Sequence, residues 1–125
     1  MQPVIVWYTY DMQIIKRSSR DIPKEEAHGG TGFRKVYASQ EQLKSTHFEA
    51  VTHGYLPAGN SFDWHDHTDT EEIMIVLKGT GKVMDKDGTY EYSEGDVFVF
   101  PANVQHKIYN DSDDEHEMIF MRVRV

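Results

Sequence analysis

Short apolar runs rich in Val, Ile, Tyr and Phe follow one another along the chain, separated by Gly, Pro, Asn and Asp. This pattern is typical of β-strands joined by tight turns. The Asp87-Gly88 pair lies between two such runs and predicts a hairpin, because Gly tolerates a positive φ. We predict strands at Val4–Tyr8, Gln13–Lys16, Arg34–Tyr37, Phe48–Leu56, Ile73–Lys78, Gly81–Asp85, Thr89–Tyr92, Val97–Phe100, Gln105–Tyr109 and Glu117–Val125.

One short helix is predicted after Ser39, where Ser39 and Gln42 have the spacing of a capping box. The sequence QEQLK that follows consists of good helix formers. Many short strands with turns between them favour an all-β closed barrel or jelly roll. We therefore expect a single domain over residues 1–125, with N-terminal strands in 1–56, a core in 59–110 and a closing strand in 116–125.

Composition excludes several classes of function. The net charge of −8 opposes binding to nucleic acid or to anionic membrane surfaces. The absence of cysteine excludes disulfides, thiolate zinc sites and cysteine nucleophiles. The N-terminal sequence lacks the basic segment and small-residue cleavage site of a signal peptide, and no apolar run is long enough for a membrane span. We therefore expect a cytoplasmic protein.

The sequence DWHDHTDTEE concentrates ionisable residues directly before an apolar run. His65 and His67 are two apart, so in a strand both side chains lie on the same face, as two ligands of a metal site would. Strict alternation would put Glu71 on that face as well, but the turn-like residues between allow Glu72 equally. The glycine-rich segment AHGGTG, residues 27 to 32, leads into a predicted strand, which favours a flexible connection over a phosphate-binding loop.

Two longer patterns follow in order: Gly59-x5-His65-x-His67-x4-Glu72-x6-Gly79, and Gly95-x5-Pro101-x-Asn103-x2-His106-x3-Asn110. They resemble the two motifs of the cupin family, whose spacing selects Glu72 over Glu71. The one departure is Asn103, where the family usually has Gly. Asn tolerates the left-handed conformation better than other non-glycine residues, so we expect the turn to be kept.

The resemblance implies a small double-stranded β-helix barrel with a metal inside. It implies one divalent transition metal (Mn, Fe, Ni, Co, Cu or Zn) with two coordination positions open to water, O2 or substrate. A small-molecule ligand and a homodimer are also implied. The function it implies is a metal-dependent enzyme, such as a dioxygenase, isomerase, lyase or decarboxylase, or alternatively a non-catalytic small-molecule-binding protein with a structural or sensory metal. The metal ligands carried over from the family are His65, His67, Glu72 and His106.

Residues outside the two motifs are interpreted from their positions in the predicted strands and loops. On the strand before the first motif, His53 and Tyr55 are candidates for acid–base or substrate contacts if they face the cavity. The remaining histidines, His28, His47 and His116, are expected on the surface. Arg122 and Arg124 are interpreted as a solvated strand end. The N-terminal strand is expected to pair with the barrel or with a second subunit, because an unpaired apolar edge promotes association.

Overall fold

The protein is described by a computed structural model covering residues 13–125. The strands in these residues are β1 Glu25–Ala27, β2 Gly32–Ser39, β3 Phe48–Leu56, β4 Ser61–His65, β5 Thr70–Lys78, β6 Gly81–Asp85, β7 Gly88–Tyr92, β8 Val97–Phe100, β9 His106–Tyr109 and β10 His116–Arg124. They form two antiparallel sheets, one with the order β1-β2-β3-β10-β5-β8 and the other with the order β4-β9-β6-β7. Two single-turn 3-10 helices lie at Ser19–Asp21 and His28–Gly30.

Side chains alternate between buried and exposed along the strands, so each sheet has one buried face that packs against the other sheet. In β5, Thr70, Glu72, Met74 and Val76 are buried, whereas Glu71 and Leu77 are exposed. Burying one large apolar side chain contributes ~1.5–3 kcal/mol, so the shared core supplies the main stabilisation of the fold. That core consists of Leu56, Phe62, Met74, Val76, Val83, Tyr92, Phe100, Ile108, Met118 and Phe120.

The jelly-roll prediction is confirmed, and most predicted strands are present. The bounds of β3, β6 and β8 are as predicted, and the β6–β7 hairpin forms at the expected place. The prediction of a strand at Gln13–Lys16 is wrong: no strand forms there, and Ile14 is 97 % exposed. Val4–Tyr8 lies outside the described residues. Two strands, β1 and β4, were not predicted, because their polar residues hide the apolar alternation.

The predicted helix after Ser39 is also wrong. The Ser39 backbone N–H donates to Gln42 Oε1 at 3.0 Å, as in a capping box, and the amides of Gln42 and Leu43 donate to the Ser39 carbonyl. The chain nevertheless makes only a turn before β3 begins at Phe48. So short a segment forms too few helical hydrogen bonds to offset the cost of nucleation.

His116 is buried between the sheets and not on the surface as expected. Its Nδ1 is 2.6 Å from the Tyr92 hydroxyl and its Nε2 is 2.9 Å from Ser112 Oγ. With 1 % of the residue exposed, both ring nitrogens need these partners. His47 is exposed, as predicted. Among residues 13–125, no helix is long and apolar enough to cross a membrane.

Candidate metal centre

Four side chains from both sheets converge at one end of the core. His65 ends β4 and pairs in register with His106, the first residue of β9, while His67 follows in the loop after β4. Glu72 reaches the same point from β5 in the other sheet. One ligand atom from each of the four residues lies within 4.8 Å of all the others. The predicted cluster of His65, His67, Glu72 and His106 is therefore present.

Glu72 lies at the centre of the cluster. Its Oε1 is 3.8 Å from Nε2 of both His67 and His106. Those two nitrogens are buried and have no hydrogen-bond partner among residues 13–125. An unsatisfied buried polar atom costs ~1–3 kcal/mol, so two in one place indicate a ligand that they share.

A divalent ion fits these donors. Coordination distances of ~2.0–2.3 Å allow two ligands of one ion to be as much as ~4.6 Å apart, so the observed cluster needs only a slight contraction. Imidazole nitrogens with one carboxylate suit first-row divalent metals. Such an ion would replace the missing hydrogen bonds of His67 and His106.

Backbone carbonyls and an aromatic ring orient two of the imidazoles. His65 Nδ1 donates to the Asp63 carbonyl at 2.6 Å, and His106 Nδ1 donates to the Val104 carbonyl at 3.0 Å. A carbonyl can only accept, so Nδ1 carries the proton and Nε2 keeps the lone pair that a metal requires. The Phe100 ring stacks on His106 with centroids 4.0 Å apart, which fixes the ring plane.

The charge state of the cluster also suits a cation. Burial by itself would raise the pKa of Glu72, but the close imidazoles of His106 and His67, with Arg122 nearby, outweigh it and lower that pKa to about 2. Glu72 is therefore a carboxylate at neutral pH. Burial lowers the pKa of His65, which favours the neutral ligand form. The carboxylate of Glu72 raises the pKa of His67.

The turn at Asn103 is hydrogen-bonded to the loop that carries His67. Asn103 adopts φ 65°, the left-handed conformation expected for this departure from the glycine pattern. Its backbone N–H donates to the His67 carbonyl at 2.8 Å. The turn therefore fixes the loop that carries His67, and this explains why a residue tolerant of positive φ is needed there. Glu71, the alternative acid, is exposed and lies outside the cluster.

A narrow cavity opens beside the cluster. It has a volume of about 30 Å³, and both His65 and Glu72 reach its wall. Two arginines that sequence reasoning did not assign to the site, Arg34 and Arg122, also line it. Alternation could have identified Arg122, because Met118 and Phe120 on the same strand face inward.

His28 is exposed, as predicted, and it also lines this cavity. Its ring stacks on Phe62 with centroids 4.5 Å apart and is 4.8 Å from the His65 ring. The glycine-rich segment forms an ordered turn, in which His28, Gly29 and Gly30 all have positive φ. This backbone turns the His28 ring back over the barrel. No local sequence signal indicates such a placement.

His53 and Tyr55 do not face the cavity. Thr52 and Gly54 line it from β3, so the two candidates lie on the opposite face of the strand. His53 Nε2 is 2.8 Å from Glu117 and its Nδ1 is 2.6 Å from the Tyr37 hydroxyl, while its ring stacks on Tyr55. The expectation that they face the metal cluster is therefore corrected.

The sequence matches the family model described as "Cupin domain" over residues 52–122, more than half of the chain. An uncharacterized protein of Methanocaldococcus jannaschii is 29 % identical over 62 residues. That alignment covers 50 % of each protein, so the chain spans about half the length of this curated relative. All four clustered residues lie within the matched range.

Solved structures with the same fold include three whose names state an activity. A predicted oxalate decarboxylase of Thermotoga maritima superposes with a TM-score of 0.81 at 22 % identity, covering 89 % of this chain and 100 % of the other. A polyketide cyclase of Streptomyces resistomycificus gives 0.76 at 16 %, covering 89 % and 80 %. A cupin sugar phosphate isomerase of Silicibacter pomeroyi gives 0.74 at 17 %, covering 89 % and 76 %. At these identities the similarity shows the fold alone.

Proposed function

Since the chain belongs to the cupin family, we propose that it is a metal-dependent enzyme acting on a small organic molecule. His65, His67, Glu72 and His106 would hold one divalent ion of Mn, Fe, Ni, Co, Cu or Zn. When bound, such an ion supplies Lewis-acid or redox chemistry at coordination positions the protein leaves open. The reaction would be of the dioxygenase, isomerase, lyase or decarboxylase type, a range consistent with the activities named for proteins of similar fold.

One observation carries this proposal: the buried Nε2 atoms of His67 and His106, which have no hydrogen-bond partner within residues 13–125, lie close to an ionised carboxylate beside a cavity. A purely structural ion would be expected where the hydrophobic core is small. Here ten buried apolar side chains join the two sheets without any contribution from an ion. The hydrophobic core thus stabilises the fold without a metal ion, and the four metal-binding side chains can serve a catalytic function.

The chain's own residues have defined tasks in this proposal. Glu72 contributes the anionic ligand, and the carbonyls of Asp63 and Val104 keep His65 and His106 in the metal-binding tautomer. Phe62 and Phe120 form an apolar wall of the cavity and limit the entry of water. Excluding water strengthens every electrostatic contact made to a bound substrate.

Metal content of the purified protein is the direct test. After chelation and reloading, mass spectrometry should find close to one divalent ion per chain. His106→Ala and Glu72→Gln should reduce uptake by at least tenfold, because each removes one of four donors. The matched controls are His47→Ala and Glu71→Gln, which change exposed residues of the same type. Equal uptake in all four variants would refute the ligand assignment.

The alternative, a binding protein whose metal is structural or sensory, predicts a different result. If metal removal unfolds the protein, the ion is structural and the enzyme proposal loses its basis. A folded metal-free protein that regains metal but turns over no small molecule from a substrate panel would favour the sensory function. The panel should include carboxylates, diols, enolisable ketones and sugar phosphates, since these can occupy two adjacent coordination positions.

A further inference from the structure

The cavity is lined by more positive than negative side chains, whereas the chain as a whole has a negative net charge. The protein carries a net charge of −8. The cavity is lined by two guanidinium groups, Arg34 and Arg122, and by one carboxylate, Glu72. A bound divalent ion would add two further positive charges. Glu25 and Glu49 pair with the two arginines from outside the lining, so the excess of positive charge depends on the bound ion. With the ion present the cavity favours an anion, because charge interactions are stronger in a low-dielectric site than in water.

Arg122 is the inner of the two cations. Its NH1 is 3.8 Å from Glu72 Oε2, and its Nε is 3.4 Å from Glu49 Oε1. Its side chain is 19 % exposed, and the two ion pairs found within residues 13–125 engage Nε and NH1 but not NH2. Glu49 is also 3.9 Å from Arg124, so it is shared between two arginines. Arg122 therefore retains donors for a planar anion, which a guanidinium can bind through two parallel hydrogen bonds.

Arg34 lies nearer the mouth. Its Nε donates to Glu25 Oε1 at 2.8 Å, which holds the guanidinium at the rim where its side chain is 38 % exposed. The Phe120 ring fills the position that a Cβ of the opposed Gly54 would take. Arg34 itself lines the cavity. Arg34 is the more exposed of the two arginines, with 38 % of its side chain exposed against 19 % for Arg122.

The volume of the cavity restricts the size of the group that enters. About 30 Å³ holds roughly two waters. The enclosed part can therefore take a group of a few atoms, such as a carboxylate. A larger substrate body would remain at the mouth, beside His28 and Arg34.

From this charge and volume we infer that the substrate is a small organic carboxylate, whose carboxylate group is bound by Arg122 inside the cavity and attracted by Arg34 at its mouth. The inference rests on the proposed function, since it concerns the same site. A structural alternative exists: Arg122 could serve only to neutralise Glu49 and Glu72. In that case its removal would affect metal uptake or folding but would not discriminate between charged and neutral ligands.

Calorimetric titration of the Zn²⁺-loaded protein with acetate, oxalate and neutral acetamide distinguishes these possibilities. We expect both carboxylates to bind and acetamide to bind at least tenfold more weakly. Arg122→Met and Arg34→Met should each weaken carboxylate binding, Arg122→Met by at least tenfold, with little effect on acetamide. Lys82→Met is the matched control, because it removes one positive charge from a partly exposed residue that does not line the cavity.

The same titrations separate failure of this inference from failure of the proposed function. Zn²⁺ content is measured independently for every variant, and metal-free protein is titrated in parallel. Two results with normal metal uptake would overturn the carboxylate assignment and leave the proposed function standing. One is equal affinity for acetate and acetamide, and the other is unchanged carboxylate binding in both arginine variants. If wild-type protein takes up no metal, the proposed function fails, while arginine-dependent oxalate binding to the metal-free protein would still support the anion site. If Arg122→Met does not fold, Arg34→Met decides the question.

Discussion

Gly79 provides a quantitative test of the structure, because its replacement by Ala introduces two separate penalties. It lies in the turn between β5 and β6 with φ 104°, a conformation that side chains other than Gly rarely adopt. A Cβ atom at this position would lie 2.1 Å from Cδ2 of His116. The His116 ring cannot retreat easily, because Tyr92 and Ser112 hold both of its nitrogens.

The expected loss in the free energy of unfolding follows from these two terms. The left-handed backbone costs ~1–2 kcal/mol for a residue with a Cβ. Forcing an extra methyl group into a packed site costs ~1–3 kcal/mol. Gly79→Ala should therefore lose about 2–5 kcal/mol. With an unfolding entropy of ~2.1 cal/mol/K per residue, this corresponds to a decrease in Tm of roughly 8–19 °C.

Two other glycines separate the terms experimentally. Gly59 has φ 74° but nothing within 4 Å of the position that a Cβ would take, so Gly59→Ala should show only the backbone cost of ~1–2 kcal/mol. Gly88 has neither a positive φ nor a close neighbour, and Gly88→Ala should stay within ~0.5 kcal/mol of wild type. Urea and thermal unfolding followed by near-UV circular dichroism measure all three. Equal stability of Gly79→Ala and Gly59→Ala would refute the steric contact with His116, and equality with Gly88→Ala would refute both terms.

The remaining predictions concern the metal centre and the assembly. The pKa of His67 is raised above the ordinary histidine value of ~6.5, so protons already compete with the metal for this ligand near neutral pH. Zn²⁺ affinity, measured with a competing chelator, should therefore fall as the pH decreases from about 8 to about 5. An affinity independent of pH would contradict this. Asn103→Gly should preserve stability and metal affinity, whereas Asn103→Ala should lose ~1–2 kcal/mol in urea unfolding because of its left-handed φ; equal effects of the two changes would count against the turn argument. His106→Ala should remain folded by circular dichroism with and without chelator, because the hydrophobic core does not depend on the ion; unfolding would indicate a structural metal. Light scattering should give the mass of a homodimer, about twice 14.5 kDa, and a monomeric mass would contradict the family-based expectation.

The sequence was most informative where residue spacing alone determines geometry. His65 and His67 both belong to the cluster as predicted, although His67 lies in the loop after β4, and alternation in β5 buries Glu72 along with Met74 and Val76. Parity counted directly from His67 would have chosen Glu71. The bend at residues 68 and 69 breaks that parity, and only the longer pattern of spacings identified Glu72.

Features that depend on packing between distant segments could not be predicted in this way. His116 has polar neighbours on both sides in the sequence, and its burial depends on Tyr92 in another strand. The position of His28 depends on a turn that brings it against Phe62 across the barrel mouth. Arg122 is different, since alternation with Phe120 was visible in the sequence, and its charge led to a surface interpretation instead.

The distribution of the four donors between the two sheets has a consequence for the way the barrel opens. Three imidazoles come from the four-stranded side and one carboxylate comes from the six-stranded side. An ion held by all four would cross-link the two sheets, so the sheets could separate only if a coordination bond broke. The sheets would then stay together while ligands exchange, and the opening lined by His28 and Arg34 would serve as the route to the ion.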